Sequence, residues 1–333
     1  MKKAAVLSFS ERGRMLAGRI AQILPADYEP YAVEPRGNLQ ELTGQLFGCC
    51  DALIFVGACG IAVRAIAPYV VSKTSDPAVL VADELGRHVI SLLSGHIGGA
   101  NELTIRIAAG IGADPVITTA TDVNGRFSVD TWAAKNGMAI DSMELAKLFS
   151  AEILKRELPL YSELPVEGKL PAGLELKQNG VLGAAVSYRI VHPYTHTLRL
   201  IPRCLHLGIG CRRGTSRELI AQVVRETLDE YGIDLRACAD ISSIDVKADE
   251  AGLLAFAQSL GVPAKFYSAQ QLQAVQGNFS ASAFVRDTVG VDNVCERAAM
   301  LSAGEGAALI IHKTAKDGVT VAAAQDNRRI RFE

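Results

Sequence analysis

Apolar and polar positions divide the chain into short apolar runs that alternate with amphipathic stretches. AAVLSF (4–9) reads as a strand and RGRMLAGRIAQIL (12–24) as an amphipathic helix. NLQELTGQLF (38–47) repeats the helical period, and DALIFVG (51–57) reads as a buried strand. AVLVAD (78–83), HVISLL (88–93) and DPVIT (114–118) are further short runs rich in branched residues. Strands separated by helices of this length predict an α/β fold with a mainly parallel sheet.

The pattern changes after about residue 125. SVDTWAAKNG (128–137) and SMELAKLFSAEILKREL (142–158) look helical, the second interrupted by Pro159, and YSELPVEGKLPAG (161–173) reads as a linker or long loop. VLGAAVSYRIV and TLRLIP suggest a few strands in a small middle unit. A third stretch opens with the strand CLHLGIG and the long helix TSRELIAQVVRETLDEYG. It continues through ISSID, DEAGLLAFAQSLG, AKFYS and NVCERAAMLSAG to the strands ALIIHK and VTVAAA. The expectation is two α/β domains with mainly parallel sheets, over 1–125 and 204–333, joined by a small middle region over 126–203.

Composition narrows the function classes. The 333 residues are 49% hydrophobic and 21% charged, with a formal charge of −2. This suits a globular protein and argues against a nucleic-acid partner, which calls for a basic excess. Lys2 and Lys3 precede only a short apolar run, broken at once by Glu11, Arg12 and Arg14, so the start reads as a strand and not a signal peptide. No stretch approaches the roughly 20 apolar residues of a membrane helix. A cytoplasmic protein without a membrane partner is expected. Its seven cysteines form no C-x-x-C pair and have no histidines at zinc-like spacing. Reduced, mostly buried thiols and no protein-bound metal are the reading.

Three glycine-rich turns carry the candidate chemistry, because ligands of open α/β sheets gather at strand ends and helix N-termini. The first holds Gly57, Cys59, Gly60 and Arg64, where glycine permits close backbone approach and Arg64 offers a fork of donors to a carboxylate. A tight turn with Arg64 as a helix-surface charge is the plainer account of this motif. The second is SGHIGGANE (94–102). His96 lies in a loop with little apolar packing and suits acid–base work. Glu102 falls in the first helical turn, where an ordinary pair with Arg106 is the plainer account. The third is GIGCRRGTS (208–216), with Arg212 and Arg213 beside a helix start that the spacing of Thr215 and Glu218 marks as a capping box. Cys211 there reads as a small buried residue. TTATD (118–122) adds Thr119 and Asp122 at another strand end, with Asp122 as a candidate cap or site carboxylate. None of these is a dinucleotide or P-loop fingerprint, so neither nicotinamide nor ATP is expected.

The same turns carry a resemblance. VGACGIAVRAIAPYV, SKTSDPAVLVADELGRHVISLLSGHIGGANEL and ADPVITTATD closely resemble the amino-terminal domain of the CbiG family. GIGCRRGTS, SIDVKADEAGLLAFAQSLGVPAKFYSAQQL, FVRDTVGVDNVCERAA and KTAKDGVTVAAA resemble its carboxyl-terminal domain, shared with CobE proteins. The likeness covers both ends of the chain and is weak around 140–200. Asp292 and Asn293 depart from the small or hydroxyl residues expected there.

The resemblance implies hydrolysis of cobalt-precorrin-5A, opening its δ-lactone and releasing acetaldehyde to give cobalt-precorrin-5B, in the anaerobic route to cobalamin. Cobalt arrives inside the substrate, so no further cofactor is implied. His96, Glu102 and Asp122 are the expected catalytic residues. His96 is expected to activate water, with the amides of residues 98–101, and Arg64 as an optional addition, receiving the oxyanion. Substrate contacts are expected from Gly57, Cys59, Gly60, Arg64, Gly98, Gly99, Asn101, Thr119, Gly210, Arg212, Arg213, Thr215 and Ser216. Other enzymes of the pathway are possible partners, and the oligomeric state stays open. The competing readings are a non-catalytic corrinoid carrier and a tetrapyrrole methyltransferase needing S-adenosylmethionine.

Overall fold

The computed structural model describes residues 1–72, 75–280 and 290–332. Residues 73–74 of SKTSDP and 284–289 of FVRDTVG therefore lie outside the described residues. Its contacts group the chain into two compact units, Met1–Trp132 and Ala133–Glu333.

The first unit runs β1 (Lys2–Ser8), α1 (Glu11–Ile23), β2 (Tyr28–Val33), α2 (Leu39–Cys49), β3 (Ala52–Val56) and α3 (Cys59–Ile66). It continues through β4 (Ala78–Ala82), β5 (His88–Leu93), α4 (Ala100–Ile111), β6 (Asp114–Val116), α5 (Ala120–Val123) and the start of α6 (Val129–Lys135). Strand order is β2-β1-β3-β4-β5-β6. Alternate strand residues feed two cores, as a two-residue period requires. Ala4, Val6, Ile54 and Leu80 pack with Leu16 and Ile20 of α1 and Ile107 of α4. Ala5, Leu7, Leu53, Phe55 and Val81 pack with Leu46 of α2 and Ile66 of α3. Each large side chain fully buried in this way contributes about 1.5–3 kcal/mol. Covered on both faces, β3 and β4 are buried along their whole length, which is why they read as unbroken apolar runs.

One reversal sets the geometry of this unit. β1 to β4 are parallel, but β5 runs antiparallel to β4, and β6 parallel to β5. Only the turn 83–87 joins β4 to β5, too short for a crossover helix. The Asp83 carboxylate holds that turn by accepting from the amides of Leu85, Arg87 and His88 at 2.6–2.9 Å. The loop after β5 therefore emerges at the end of the sheet where β3 and β4 begin.

The second unit contains two five-stranded sheets. The first uses β7 (Ala139–Ile140), β8 (Leu158–Ser162), β10 (Leu174–Leu176), β11 (Leu182–Val186) and β12 (His196–Ile201), with α7 (Met143–Glu152) packed on β11 and β12. Its order is β10-β8-β11-β12-β7, parallel except for β7. The helical pattern of 142–158 thus stops at Glu152, and Pro159 lies inside β8. The expected long loop 161–173 contributes the end of β8 and then β9 (Val166–Glu167), which pairs with the terminal β18 (Ile330–Arg331).

The other sheet is built from β13 (Leu205–Cys211), α8 (Arg217–Glu230), β14 (Cys238–Ile244), α9 (Ala251–Leu260), β15 (Ala264–Tyr267), α10 (Ala269–Ala274), α11 (Cys295–Ala303), β16 (Ala308–Lys316) and β17 (Val319–Gln325). Its order is β15-β14-β13-β17-β16, with β17 antiparallel to both neighbours. α11 lies directly on β13, where a Cβ at Gly208 would fall 1.8 Å from the Cys295 carbonyl oxygen. Asp292 and Asn293, the departures from the family pattern, anchor the start of this helix. Asn293 donates to Glu296 and to the Ser280 carbonyl, both at 2.9 Å, and Asp292 accepts from Arg297 at 3.0 Å.

Candidate active site

The loop after β5 forms a compact polar centre within the first unit. Ser94 leaves the strand at φ +56°, and its buried hydroxyl has no hydrogen-bond partner among the described residues. A non-glycine residue held in that conformation stores strain that its surroundings must offset. The loop folds back on itself: the amides of Gly99, Ala100 and Asn101 donate to the carbonyls of His96, Ser94 and Gly95 at 2.9–3.2 Å. Those three amides are consequently engaged. They are three of the four amides, 98–101, expected to receive an oxyanion.

His96 projects from the loop between two carboxylates. Its Nε2 lies 2.8 Å from Asp122 Oδ2, and its Nδ1 lies 3.4 Å from Asp130 Oδ1. Two hydroxyls complete the surround, Thr121 Oγ1 at 3.3 Å from Nε2 and Ser128 Oγ at 3.3 Å from Nδ1. Behind Asp122, the buried Asn101 accepts from Ser91 at 2.6 Å and donates to both Thr119 and Asp122 at 3.0 Å. Thr119 donates to Asp122 in turn. That bond explains why Thr119 begins α5 without capping it through its side chain.

The electrostatics follow from these bonds. The hydrogen bond to Asp130 raises the His96 pKa above the ordinary histidine value; burial opposes this, and the bond to Asp122 adds to the rise. For Asp122, burial pushes the pKa up, but the bonds from Thr119, His96 and Asn101 outweigh it and hold the carboxyl below its usual value. With both ring nitrogens facing carboxylates, His96 has no free nitrogen with which to take a proton from water. The expectation of a general base here does not fit the geometry.

The structure brings together His96, Asn101, Thr119 and Asp122, with Gly98 and Gly99 shaping the loop. It adds Ser128 and Asp130, which sequence reasoning missed, and Ser94 and Thr121 from within the two motifs themselves. Ser128 and Asp130 open α6, and S-x-D before an apolar run reads as an ordinary helix start. Glu102 is exposed on α4, where its charge bears on Tyr28. Gly57, Cys59, Gly60 and Arg64 follow β3, whose carboxyl end is opposite the end that carries His96. About 15 Å of strand separates the two, so Arg64 takes no part at the imidazole. The Arg64 guanidinium folds back beside Gly60 at its own helix start and has no side-chain partner among the described residues.

In the second unit, the GIGCRRGTS turn satisfies itself. The Gly214 amide donates to the buried Glu250 at 2.8 Å. Arg213 pairs with Asp249 at 2.5 Å and reaches Glu250 at 4.0 Å. The anion expected at this turn is thus a carboxylate of the chain itself. The helix cap is Ser216, accepting from Leu219 at 3.2 Å, one residue beyond the expected Thr215, whose hydroxyl donates to the Arg212 carbonyl at 2.7 Å. Gly210 makes room for Thr320, whose Oγ1 would lie 2.5 Å from a Cβ there. Arg212 lies across Gly318 with no ion-pair partner among the described residues. Burial raises the Cys211 thiol pKa, as for a packing residue.

Among the described residues, no cluster of three or more His, Cys, Asp or Glu side chains converges on a common metal position. No helix among them is long and apolar enough to cross a membrane.

Comparison with known proteins adds a family. The model described as Cobalamin synthesis G N-terminal matches residues 41–122, and Cobalamin synthesis G C-terminus matches residues 205–324. The cobalt-precorrin-5A hydrolase of Salmonella typhimurium is 36% identical over 345 residues, covering 95% of this chain and 96% of that protein. The cobalt-precorrin-5A hydrolase of Priestia megaterium is 32% identical over 310 residues, 86% of this chain and 82% of its own length. Protein CobE of Sinorhizobium sp is 36% identical over 124 residues, 36% of this chain and 79% of that protein.

Proposed function

The chain belongs to the CbiG family of cobalamin-synthesis proteins, and from that membership we propose that it hydrolyses cobalt-precorrin-5A, with the His96 centre as its reaction site. Water opens the δ-lactone, the two-carbon fragment leaves as acetaldehyde, and cobalt-precorrin-5B remains. The observation that carries the site assignment is the imidazole of His96 set between Asp122 and Asp130. Such a cluster at a strained strand end holds the proton donor and acceptor that both bond cleavages need.

Cobalt enters as part of the substrate macrocycle. The many carboxylates of that macrocycle suit arginines without internal partners. Among the described residues Arg64 in the first unit and Arg212 in the second each meet that condition separately, while Arg213 is already paired. All seven cysteines are free, in keeping with a reducing cytoplasm.

The test is anaerobic incubation of the purified chain with cobalt-precorrin-5A while trapping released aldehyde. Catalytic acetaldehyde, matched by loss of the two-carbon unit from the macrocycle, is expected. His96→Ala should lower turnover by about 10²–10⁴-fold. Tight stoichiometric binding without aldehyde would replace this reading with that of a corrinoid carrier.

A further inference from the structure

We propose that His96 is the acid of this centre, that Asp122 is its proton acceptor, and that Asp130 is the positioning residue that keeps the imidazole charged and aimed. This division of labour rests on the hydrolase reading above.

The two carboxylates that flank His96 differ in their surroundings. On the Nδ1 side, the Asp130 side chain is only 8% exposed, and its Oδ1 also accepts from the Ser128 hydroxyl at 2.9 Å and the Thr131 amide at 3.0 Å. On the Nε2 side, the Asp122 side chain is 39% exposed. The second side is the more open to a macrocycle and a water molecule. Asp122 Oδ2 is taken up by His96, Asn101 and Thr119, which leaves Oδ1 free of hydrogen-bond partners among the described residues. The atom presented to an incoming water is therefore a carboxylate oxygen. A buried carboxylate behind Nδ1 fixes the ring orientation and turns Nε2–H towards Asp122 on the more exposed side, the service an orienting acid performs for any catalytic histidine.

The charge states agree with the roles. The titratable groups facing His96 among the described residues are Asp122 from α5 and Asp130 from α6; Thr121 and Ser128 are neutral. Both carboxylates favour the imidazolium, and the imidazolium favours an ionised Asp122. Each charge thus favours the other, so that the pair leans towards an aspartate beside an imidazolium, a base and an acid side by side.

The proton ledger closes. Asp122 takes a proton from water as the water oxygen bonds to the lactone carbonyl carbon. The acyl–oxygen bond breaks, and the departing alkoxide takes the Nε2 proton of His96. Asp122 then returns its proton to His96, so one water has been added across the ester bond. In the second stage Asp122 takes the proton of the new hydroxyl as its carbon becomes the aldehyde carbonyl. The carbon–carbon pair passes to the macrocycle, which is protonated by His96, and the proton on Asp122 again restores the imidazolium.

Asp130→Asn preserves shape and removes the buried charge. In the variant, the alkaline limb of kcat against pH for acetaldehyde release is expected to move to lower pH. Turnover near about pH 8, relative to about pH 6, falls by about tenfold. Ring-nitrogen NMR of the substrate-free protein, assigned with His96→Gln, should show the His96 imidazolium persisting to higher pH in the wild type than in Asp130→Asn. An unmoved limb and an unmoved titration would overturn the assignment. So would a wild-type His96 that deprotonates at or below the ordinary value of about 6.5, a result that decides the matter even if the variant does not fold. Absence of acetaldehyde from the wild type overturns the hydrolase reading instead, and the substrate-free titration tells the two failures apart.

Discussion

Replacing Gly98 with alanine puts a methyl group where the His96 loop has no room. The new Cβ would lie 2.5 Å from Ser94 Cβ and 2.8 Å from the Ser94 carbonyl oxygen. Carbon–carbon contacts settle at about 3.5–4.0 Å, so the overlap is about 1 Å. Gly98 does not have a positive φ, so the backbone itself tolerates alanine and the penalty is steric. The obstruction cannot swing aside, because Ser94 is held at φ +56° and its carbonyl accepts from Ala100 at 3.2 Å. Relief requires a shift of about 1 Å in the segment that carries His96, and misplacement on that scale costs about 10²-fold in rate. Overpacking should also cost about 1–3 kcal/mol of stability.

Gly99→Ala is the control. Its φ is +83°, with nothing within 4 Å of the added Cβ. The cost there is the left-handed backbone alone, about 1–2 kcal/mol, with less displacement of the imidazole. The assay is kcat/KM for acetaldehyde release beside thermal unfolding of each variant. A Gly98→Ala protein with near-normal kcat/KM and melting temperature would refute the packing argument. Gly99→Ala as the more damaging of the two would do the same, and would return these glycines to ligand contact.

Asp122→Asn should lower kcat by about 10²–10⁴-fold, while Glu102→Gln keeps near-normal turnover, because of these two carboxylates Asp122 is the one placed on the imidazole. Equal losses in steady-state kcat would contradict this placement. In the second unit, Asp234 pairs with Arg199 at 2.6 Å and Arg236 at 2.7 Å. Burial raises the Asp234 carboxyl pKa, but the bonds from Arg236 and Arg199 outweigh it and bring it to about 2. A folded-state pKa below the unfolded one stabilises the fold above the unfolded value, and this is lost as pH falls through about 2. The difference from 3.8 amounts to about 2 kcal/mol at neutral pH and about half that at pH 3. Urea unfolding of Asp234→Asn should show that deficit at pH 7 and a smaller one at pH 3; a deficit independent of pH would refute the linkage.

The sequence by itself determined the family and the strands and helices of the two α/β stretches, though not those of the middle region. Apolar runs such as DALIFV and AVLVAD are strands because a sheet buried on both faces demands unbroken apolar side chains, and that demand is written locally. The strand–glycine–helix signal around His96, and Thr119 and Asp122 after the next strand, were legible for the same reason. What the pattern does not carry is direction. GACG and SGHIGG look alike as glycine turns after strands, yet the short turn 83–87 reverses β5 and sends them to opposite ends of the sheet. Only the tertiary structure therefore separated Arg64 from His96. It also laid Asp130, a residue that reads as a plain helix start, under Nδ1 of the imidazole. And it supplied the Gly214 turn with the carboxylate of Glu250 from 36 residues further on, filling from within a cradle that had looked made for substrate. Periodicity is a property of neighbours in sequence, whereas a site is made by chain reversals and long-range pairings that no local window contains.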